Sequence, residues 1–341
     1  MEKKTSEGSA AIDFVIPWVN GNDPAWQKEK AAYVPSEMAD SASEVRYRDW
    51  DNLQYWFRGV EKYAPWVNRV YFITWGHLPE WLNTSAPKLK IVKHGEYIPQ
   101  QYLPTFSSHT IELNMHRIDG LSEHFVYFND DMFLTKPVKP TDFFKNGNPC
   151  ENFGLNCVYF GQDSAGHFIG SNMEVINTEF KGQKRSIMKR DWRKWFSLKN
   201  SRTVRMKTFL LMAWDWFPGF EYDHLPTNLC RSTLEEVWER YETVLDRTCA
   251  DRFRRESNVN QWLFKFWQLC KGRYEVRSHR FGRAFHIDDN NFEELCSAIT
   301  GQKYSMLCVN DTPRTTDFDI KKQRVRECFE QILPEKSSFE W

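Results

Sequence analysis

Residues 108–131 read SHTIELNMHRIDGLSEHFVYFNDD, and they decide the fold class. The first part, to about residue 119, is helix-like. The last part, FVYFND at 125–130, is a short apolar run ended by turn-forming residues, which reads as a buried strand. The same alternation continues toward the N-terminus. IDFVIPWV at 12–19 reads as a strand closed by the turn signal NGNDP. Residues 51–63 carry Leu53, Trp56, Phe57 and Val60 at helical spacing, with Asp51 or Asn52 near the cap. VYFIT at 70–74 and LKIVKH at 89–94 are β-type runs. Strands alternating with helices predict an α/β class with a mainly parallel sheet flanked by helices.

Toward the C-terminus the signals change. A Gly/Asn/Pro link at 146–149 leads to VYFGQD and then to a Lys/Arg-rich stretch at 181–207 that includes KGQKRSIMKRDWRKW. That stretch reads either as a solvated helical face or as a basic surface for an anionic acceptor or lipid headgroups. Residues 233–244 and 258–270 are amphipathic helices, the second with Val259, Trp262, Leu263, Phe266, Trp267 and Cys270 on one stripe. The expected plan is a flexible N-terminus to residue 11, an α/β core over 12–145, a more helical second half over 146–310 that completes the site, and a helical tail over 311–341.

Composition narrows the function classes. Lys+Arg and Asp+Glu both number 46, so no whole-protein field exists to gather nucleic acid. No stretch approaches the roughly 18 to 20 apolar residues that span a bilayer, and MEKKTSEGSAA has no secretory apolar segment. The expected location is the cytoplasm, including the inner face of the cell membrane. Eight Cys without a CxxC pair predict reduced thiols and no zinc site. The 15 Trp suit either sugar-binding surfaces or a core of large side chains.

The chemistry is concentrated at Asn129, Asp130 and Asp131. Ligands of open α/β sheets gather beyond the carboxyl ends of strands, where adjacent carboxylates can hold Mg²⁺ or Mn²⁺ against a diphosphate. The same residues also suit a turn or a helix cap. Asp13 lies inside an apolar run, where a carboxylate needs hydrogen bonds, a cation or a ligand. Glu112 and His116, four apart, would share one face of the helix over 108–119.

The run IDFVIPWVNGNDP (12–24) resembles the first conserved region of the Stealth family of sugar-phosphate transferases. RYRDWDNLQYWFRGVEKYAPWVNRVYFITWG (46–76) and LPTFSSHTIELNMHRIDGLSEHFVYFNDDMFL (103–134) resemble its second region. YDHLPTNL (222–229) and FRRESNVNQW (253–262) resemble the third and fourth more faintly. The resemblance implies a GT-A-like core, a divalent metal, Mg²⁺ or Mn²⁺, a UDP-sugar donor and a carbohydrate acceptor. It also implies functional roles for Asp13, Glu112, Asp131, His224 and Arg255, with Asp130 completing the acidic pair.

The implied reaction moves a sugar-1-phosphate onto an acceptor hydroxyl and releases UMP, in capsule or exopolysaccharide synthesis. His224 suits the base that takes the acceptor proton, and Arg255 suits the phosphoryl oxygens. Asp130 and Asp131 would hold the metal, and Glu112 would orient the donor sugar or the base. Asn129, Arg48 and Arg117 are further candidate contacts to the nucleotide sugar. Two other readings stay open: a glycosyltransferase that releases UDP, and a carbohydrate-binding protein without turnover.

Overall fold

A computed structural model describes residues 10–34, 49–161, 165–312 and 315–341. Arg48 and most of the N-terminal segment lie outside the described residues. At the centre is a five-stranded sheet. In chain order the strands are β1 (Ile12–Trp18), β2 (Val70–Thr74), β3 (Leu89–Lys93), β4 (His124–Tyr127), β5 (Met132–Leu134), β6 (Phe144–Lys145), β7 (Asn148–Glu151), β8 (Thr227–Cys230), β9 (Glu275–Val276), β10 (Gly282–His286) and β11 (Met306–Asn310). The central sheet has the order β3-β2-β1-β4-β8, parallel throughout except for β8. This is the α/β, mainly parallel class read from the sequence.

The strands are continuous apolar runs because both faces of the sheet are covered. Alternate residues enter different cores. Phe14, Ile16, Val70, Phe72 and Val126 pack into one, while Val15, Tyr71, Ile73, Phe125 and Tyr127 pack into the other. The helix Leu53–Tyr63 covers the first face with the stripe expected of it, and Leu53, Trp56, Phe57 and Val60 are all buried. Its opposite side carries Arg58, which forms a two-pronged ion pair with Glu340 and donates to the Leu333 carbonyl at 2.8 Å. The C-terminal segment, helical over Phe318–Ile332, is pinned there to the helix Leu53–Tyr63.

The second half of the chain completes sheets begun in the first. β8 adds the antiparallel edge beside β4, and β11 pairs antiparallel with β5 and parallel with β10. β6, β7 and β9 form a third small sheet.

Two helices depart from expectation. The helix over 108–119 stops at Leu113, with Asn114 as its C-cap (φ −97°, ψ 0°) and the Asn114 side-chain amide turned back onto the Thr110 carbonyl at 2.8 Å. A short 3₁₀ turn, Met115–Arg117, follows. Glu112 and His116 therefore do not share a face, and His116 packs on Trp238 instead. The helix expected over 258–270 runs Trp262–Lys271 and is buried on all sides through Cys270, so its stripe was only part of its apolar surface. All eight Cys are free thiols, and among the described residues no helix is long and apolar enough to cross a membrane.

Candidate active site

From β1 the chain winds outward to β2 and β3, and only then crosses to β4 on the other side. The strand order reverses between β1 and β4, and the connections there diverge to leave a crevice beyond the carboxyl ends. A cavity of about 510 Å³ occupies that crevice. Pro17, Trp18 and Val19 line it from the end of β1, and Asn129, Asp130 and Asp131 from the end of β4. His94, Ser108, His224, Arg254, Asn310 and Asp311 close the walls. Its size suits a small-molecule ligand.

Register brings His224 to the acidic pair. β8 runs antiparallel to β4 with Tyr127 opposite Thr227, so the residues just after β4 face those just before β8. His224 occupies that position, two residues before Pro226, in a turn where Leu225 N–H donates to the Asp223 carbonyl at 2.8 Å. Its Nε2 lies 3.2 Å from Asp131 Oδ2 and 3.3 Å from Asn129 Nδ2. Asn129 can donate to the neutral ring and Asp131 can accept from the protonated one, so one nitrogen has a partner in each state. Burial pulls the His224 pKa down, but the Asp131 charge and hydrogen bond outweigh it and the net shift is upward.

Asp131 is held from three sides. β11 fixes its backbone through Val309 N–H (2.8 Å), and Asn310 Nδ2 (3.1 Å) and Cys308 Sγ (3.2 Å) donate to Oδ2 beside His224. Burial opposes ionisation, yet His224 and these donors bring the Asp131 pKa to about 2. Oδ1 is different, being buried without a hydrogen-bond partner. An ionised carboxylate with one orphaned oxygen at a cavity wall is prepared for a cation or a donor from a ligand.

Asp130 opens to the cavity but is walled by protein. Loss of hydration and then the adjacent Asp131 push its pKa up to about 7, with Asp49 adding to the repulsion. A divalent cation would reverse both main causes.

Two sets of side chains bear on which metal fits. Asp131, His224 and Cys308 offer ligand atoms within 4.8 Å of one another. Burial and the Asp131 charge hold the Cys308 thiol well above its ordinary pKa, so the thiol serves as a donor that fixes Asp131. The carboxylate pair is the hard-oxygen set suited to Mg²⁺ or Mn²⁺.

Glu112 sits behind the wall formed by Ser108, Ile111 and Tyr127. Tyr127 Oη donates to one of its oxygens and Gln261 N–H to the other, each at 3.2 Å. Burial raises its pKa, with Arg254 opposing.

Three expected contacts fall elsewhere. Asp13 lies at the amino end of β1, away from the cavity, where it accepts from Asn68 Nδ2 at 2.8 Å and Ser122 N–H at 2.7 Å. Its apolar surroundings required partners, and the protein itself supplies them. Arg117 stacks over Trp238 and bonds Asn114 Oδ1 at 3.1 Å, outside the cavity. Arg255 points to solvent and pairs across its loop with Asp251 at 2.9 Å, an ion pair that competes with any phosphate role.

Its neighbour Arg254 lines the cavity instead, with Nη2 donating to Ser108 Oγ at 2.6 Å. Sequence reasoning missed Arg254 although FRRESN offered two arginines, and it missed Cys308, Asn310 and Asp311 altogether. The only signal for these last three was an acidic and amide cluster, VNDT, ending an apolar run.

A doubly wound sheet with acidic, imidazole and guanidinium groups around its switch-point crevice has the layout of an α/β group-transfer enzyme. Sequence comparison makes the class specific. Residues 11–37 match Stealth protein conserved region 1, and residues 46–151 match conserved region 2. The receptor polysaccharide phosphotransferase WefC of Streptococcus oralis is 42% identical over 96% of this chain and 99% of its own length. The capsular polysaccharide phosphotransferase WcwK of Streptococcus pneumoniae is 40% identical over 96% and 99%. The exopolysaccharide phosphotransferase cps2G of Lactiplantibacillus plantarum is 34% identical over 98% of each. The chain belongs to the Stealth family, and it is a phosphotransferase.

Among solved structures it is similar in outline to the galactosyltransferase LgtC, with TM-score 0.35 and 10% identity over 93% of this chain and 95% of that one. It is also similar to the glycosyltransferase GlyE of Streptococcus pneumoniae TIGR4, with TM-score 0.39 and 10% identity over 95% of this chain and 62% of that one.

Proposed function

We propose that the protein transfers a sugar-1-phosphate from a UDP-sugar to a hydroxyl of a carbohydrate acceptor during capsule or exopolysaccharide synthesis, and releases UMP. The polysaccharide phosphotransferase names of its relatives favour phosphoryl over glycosyl transfer. The observation that carries the reading is the place of His224 in the wall common to two cavities. One is the 510 Å³ crevice, and the other is a cavity of about 320 Å³ lined also by Tyr222, Asp223, His279 and His286. Donor in the first and acceptor in the second would meet at this imidazole.

In the reaction the acceptor oxygen attacks the β-phosphorus, a new P–O bond forms, and the bond to the oxygen bridging toward the α-phosphorus breaks. UMP departs with that oxygen. The acceptor proton passes to neutral His224 at Nε2, the nitrogen toward which Asn129 now points. Asp131 stabilises the resulting imidazolium through its 3.2 Å contact.

Arg254, in the cavity wall, would donate two bonds to the phosphoryl oxygens while staying charged. Glu112 keeps Tyr127 and the Gln261 backbone in register behind the wall. Asp130 and the orphaned Oδ1 of Asp131 are the groups that would hold Mg²⁺ or Mn²⁺. Such an ion would screen the diphosphate and the charge that develops on the departing UMP.

The test is His224→Ala, followed by calorimetric titration with UDP-sugar and by single-turnover transfer. Donor binding is expected to stay near normal while transfer falls roughly a hundredfold to ten-thousandfold. Weak donor binding with a normal single-turnover rate at saturation would remove His224 from the base role.

A further inference from the structure

Residues 181–216 contain eleven Lys or Arg and two Asp, within a chain whose formal net charge is zero. The same segment shows a second anomaly. The helix Arg202–Leu211 buries only Val204 and Thr208, and turns its larger apolar side chains outward. Met206, Phe209 and Leu210 stand 59%, 68% and 60% exposed, followed by Trp214 and Trp216 at 57% and 50%. Met206, Phe209 and Leu210 follow i, i+3, i+4 spacing, the start of the stripe an amphipathic helix ordinarily buries.

This outward display is built into the fold. Lys184, itself buried, donates to the carbonyls of Leu211 (2.7 Å) and Trp214 (2.6 Å) and so holds the turn after the helix. Asn177 pairs with both backbone groups of Phe217 at 2.9 and 3.0 Å. On the inner side Thr208 Oγ1 accepts from Leu155 N–H at 3.0 Å. Trp214 and Trp216 are therefore presented from a backbone fixed at both ends.

We infer that this face docks on an anionic lipid bilayer. Exposed Met, Phe and Leu followed by two exposed Trp, in a segment rich in Lys and Arg, match the two layers of a membrane interface, acyl chains below and anionic headgroups above. Lys181, Lys189, Arg193 and Arg202 are exposed and have no ion pair among the described residues, so their charge is available to headgroups. A second copy of the chain is a poorer occupant, because a self-complementary contact would press these like charges together. His224 is eight positions after Trp216, so the Trp216 end of the patch lies within about 28 Å of the base. The docking does not depend on the reaction assigned to that base.

The experiment is sedimentation of the full-length protein with phosphatidylcholine vesicles, with and without phosphatidylglycerol. Binding is expected only with phosphatidylglycerol, to weaken with salt, and to shift the tryptophan emission to shorter wavelength. Phe209→Ser combined with Leu210→Ser, and separately Arg202→Glu, are expected to weaken partitioning at least about tenfold. The melting temperature and transfer to a soluble acceptor should stay at wild-type values. The inference is overturned by failure to bind phosphatidylglycerol vesicles, or by binding that survives both variants. It is likewise overturned by a solution dimer that Phe209→Ser disperses.

Discussion

Asp13 and Asp131 pose the same problem at opposite ends of the central sheet: a carboxylate placed among apolar strands. At the amino end, Asp13 has both oxygens occupied by the protein, one by the Asn68 amide and one by the Ser122 backbone. Past the carboxyl end, Asp131 crowds three donors onto Oδ2 and leaves Oδ1 with none. The first arrangement is complete in the folded chain. The second is complete only when something enters the cavity, and that difference separates a structural carboxylate from one kept for chemistry.

Substitutions at the two positions should therefore give opposite phenotypes. Asp131→Asn removes one charge at nearly constant volume and is expected to lower turnover roughly a thousandfold. Thermal denaturation of the variant should stay near wild type. Normal activity at low Mg²⁺ would reduce Asp131 to a turn-capping residue.

Arg254 and Arg255 repeat the contrast between adjacent side chains. Arg254→Ala is expected to raise the donor KM or lower kcat/KM by about tenfold to a hundredfold, the loss of a charged hydrogen bond. Arg255→Ala should change steady-state kinetics little, since its exposed pair with Asp251 is worth at most about 1 kcal/mol. The reverse ranking would return the phosphate role to Arg255.

Asp13→Ala should break the fold rather than the chemistry. It leaves a backbone N–H and an amide without acceptors, for a loss of about 3 kcal/mol. Denaturant melts would show this, with kcat per folded molecule unchanged. A kcat loss without a stability loss would restore Asp13 to the site.

Acid separates the regions by the smallest margin. Burial lowers the pKa of His94 and of His116 to about 4, so the fold favours their neutral forms. Their contribution is present above the unfolded value of about 6.5 and is lost as pH falls toward 4. His224 is shifted upward in the protein without metal, so its contribution has the opposite sign, present below about 6.5 and lost as pH rises through the folded value. Asp130, with its pKa pushed up to about 7, and Glu112 act with His224 against this loss, so the readout is the variant: from pH 7 to pH 5 the melting temperature of His116→Gln should fall less than that of the wild-type protein. A slope unchanged by His116→Gln would place the acid sensitivity elsewhere.

The strands and the helix Leu53–Tyr63 were legible because period and turn signals act over a few residues. The Asn129–Asp131 cluster was legible because strand ends are local features as well. Glu112 lies behind the cavity wall, but it does not share a face with His116, since the helix stops at Leu113 and a 3₁₀ turn follows. Arg254 and Arg255 could not be ranked from a turn, where no period dictates which of two neighbours points inward. Most hidden was β11, whose Cys308 and Asn310 reach Asp131 across 177 and 179 residues. Only tertiary pairing of β11 with β5 brings them there.

The most direct test follows the β-phosphorus itself. Purified protein is incubated with Mg²⁺, an acceptor oligosaccharide and a UDP-sugar radiolabelled at the β-phosphate, and the nucleotide and saccharide products are separated. The label is expected in a phosphodiester on the saccharide, with unlabelled UMP released in equal amount. Label recovered in UDP, beside an unlabelled glycoside, would contradict phosphoryl transfer at the His224 wall and make the protein a glycosyltransferase.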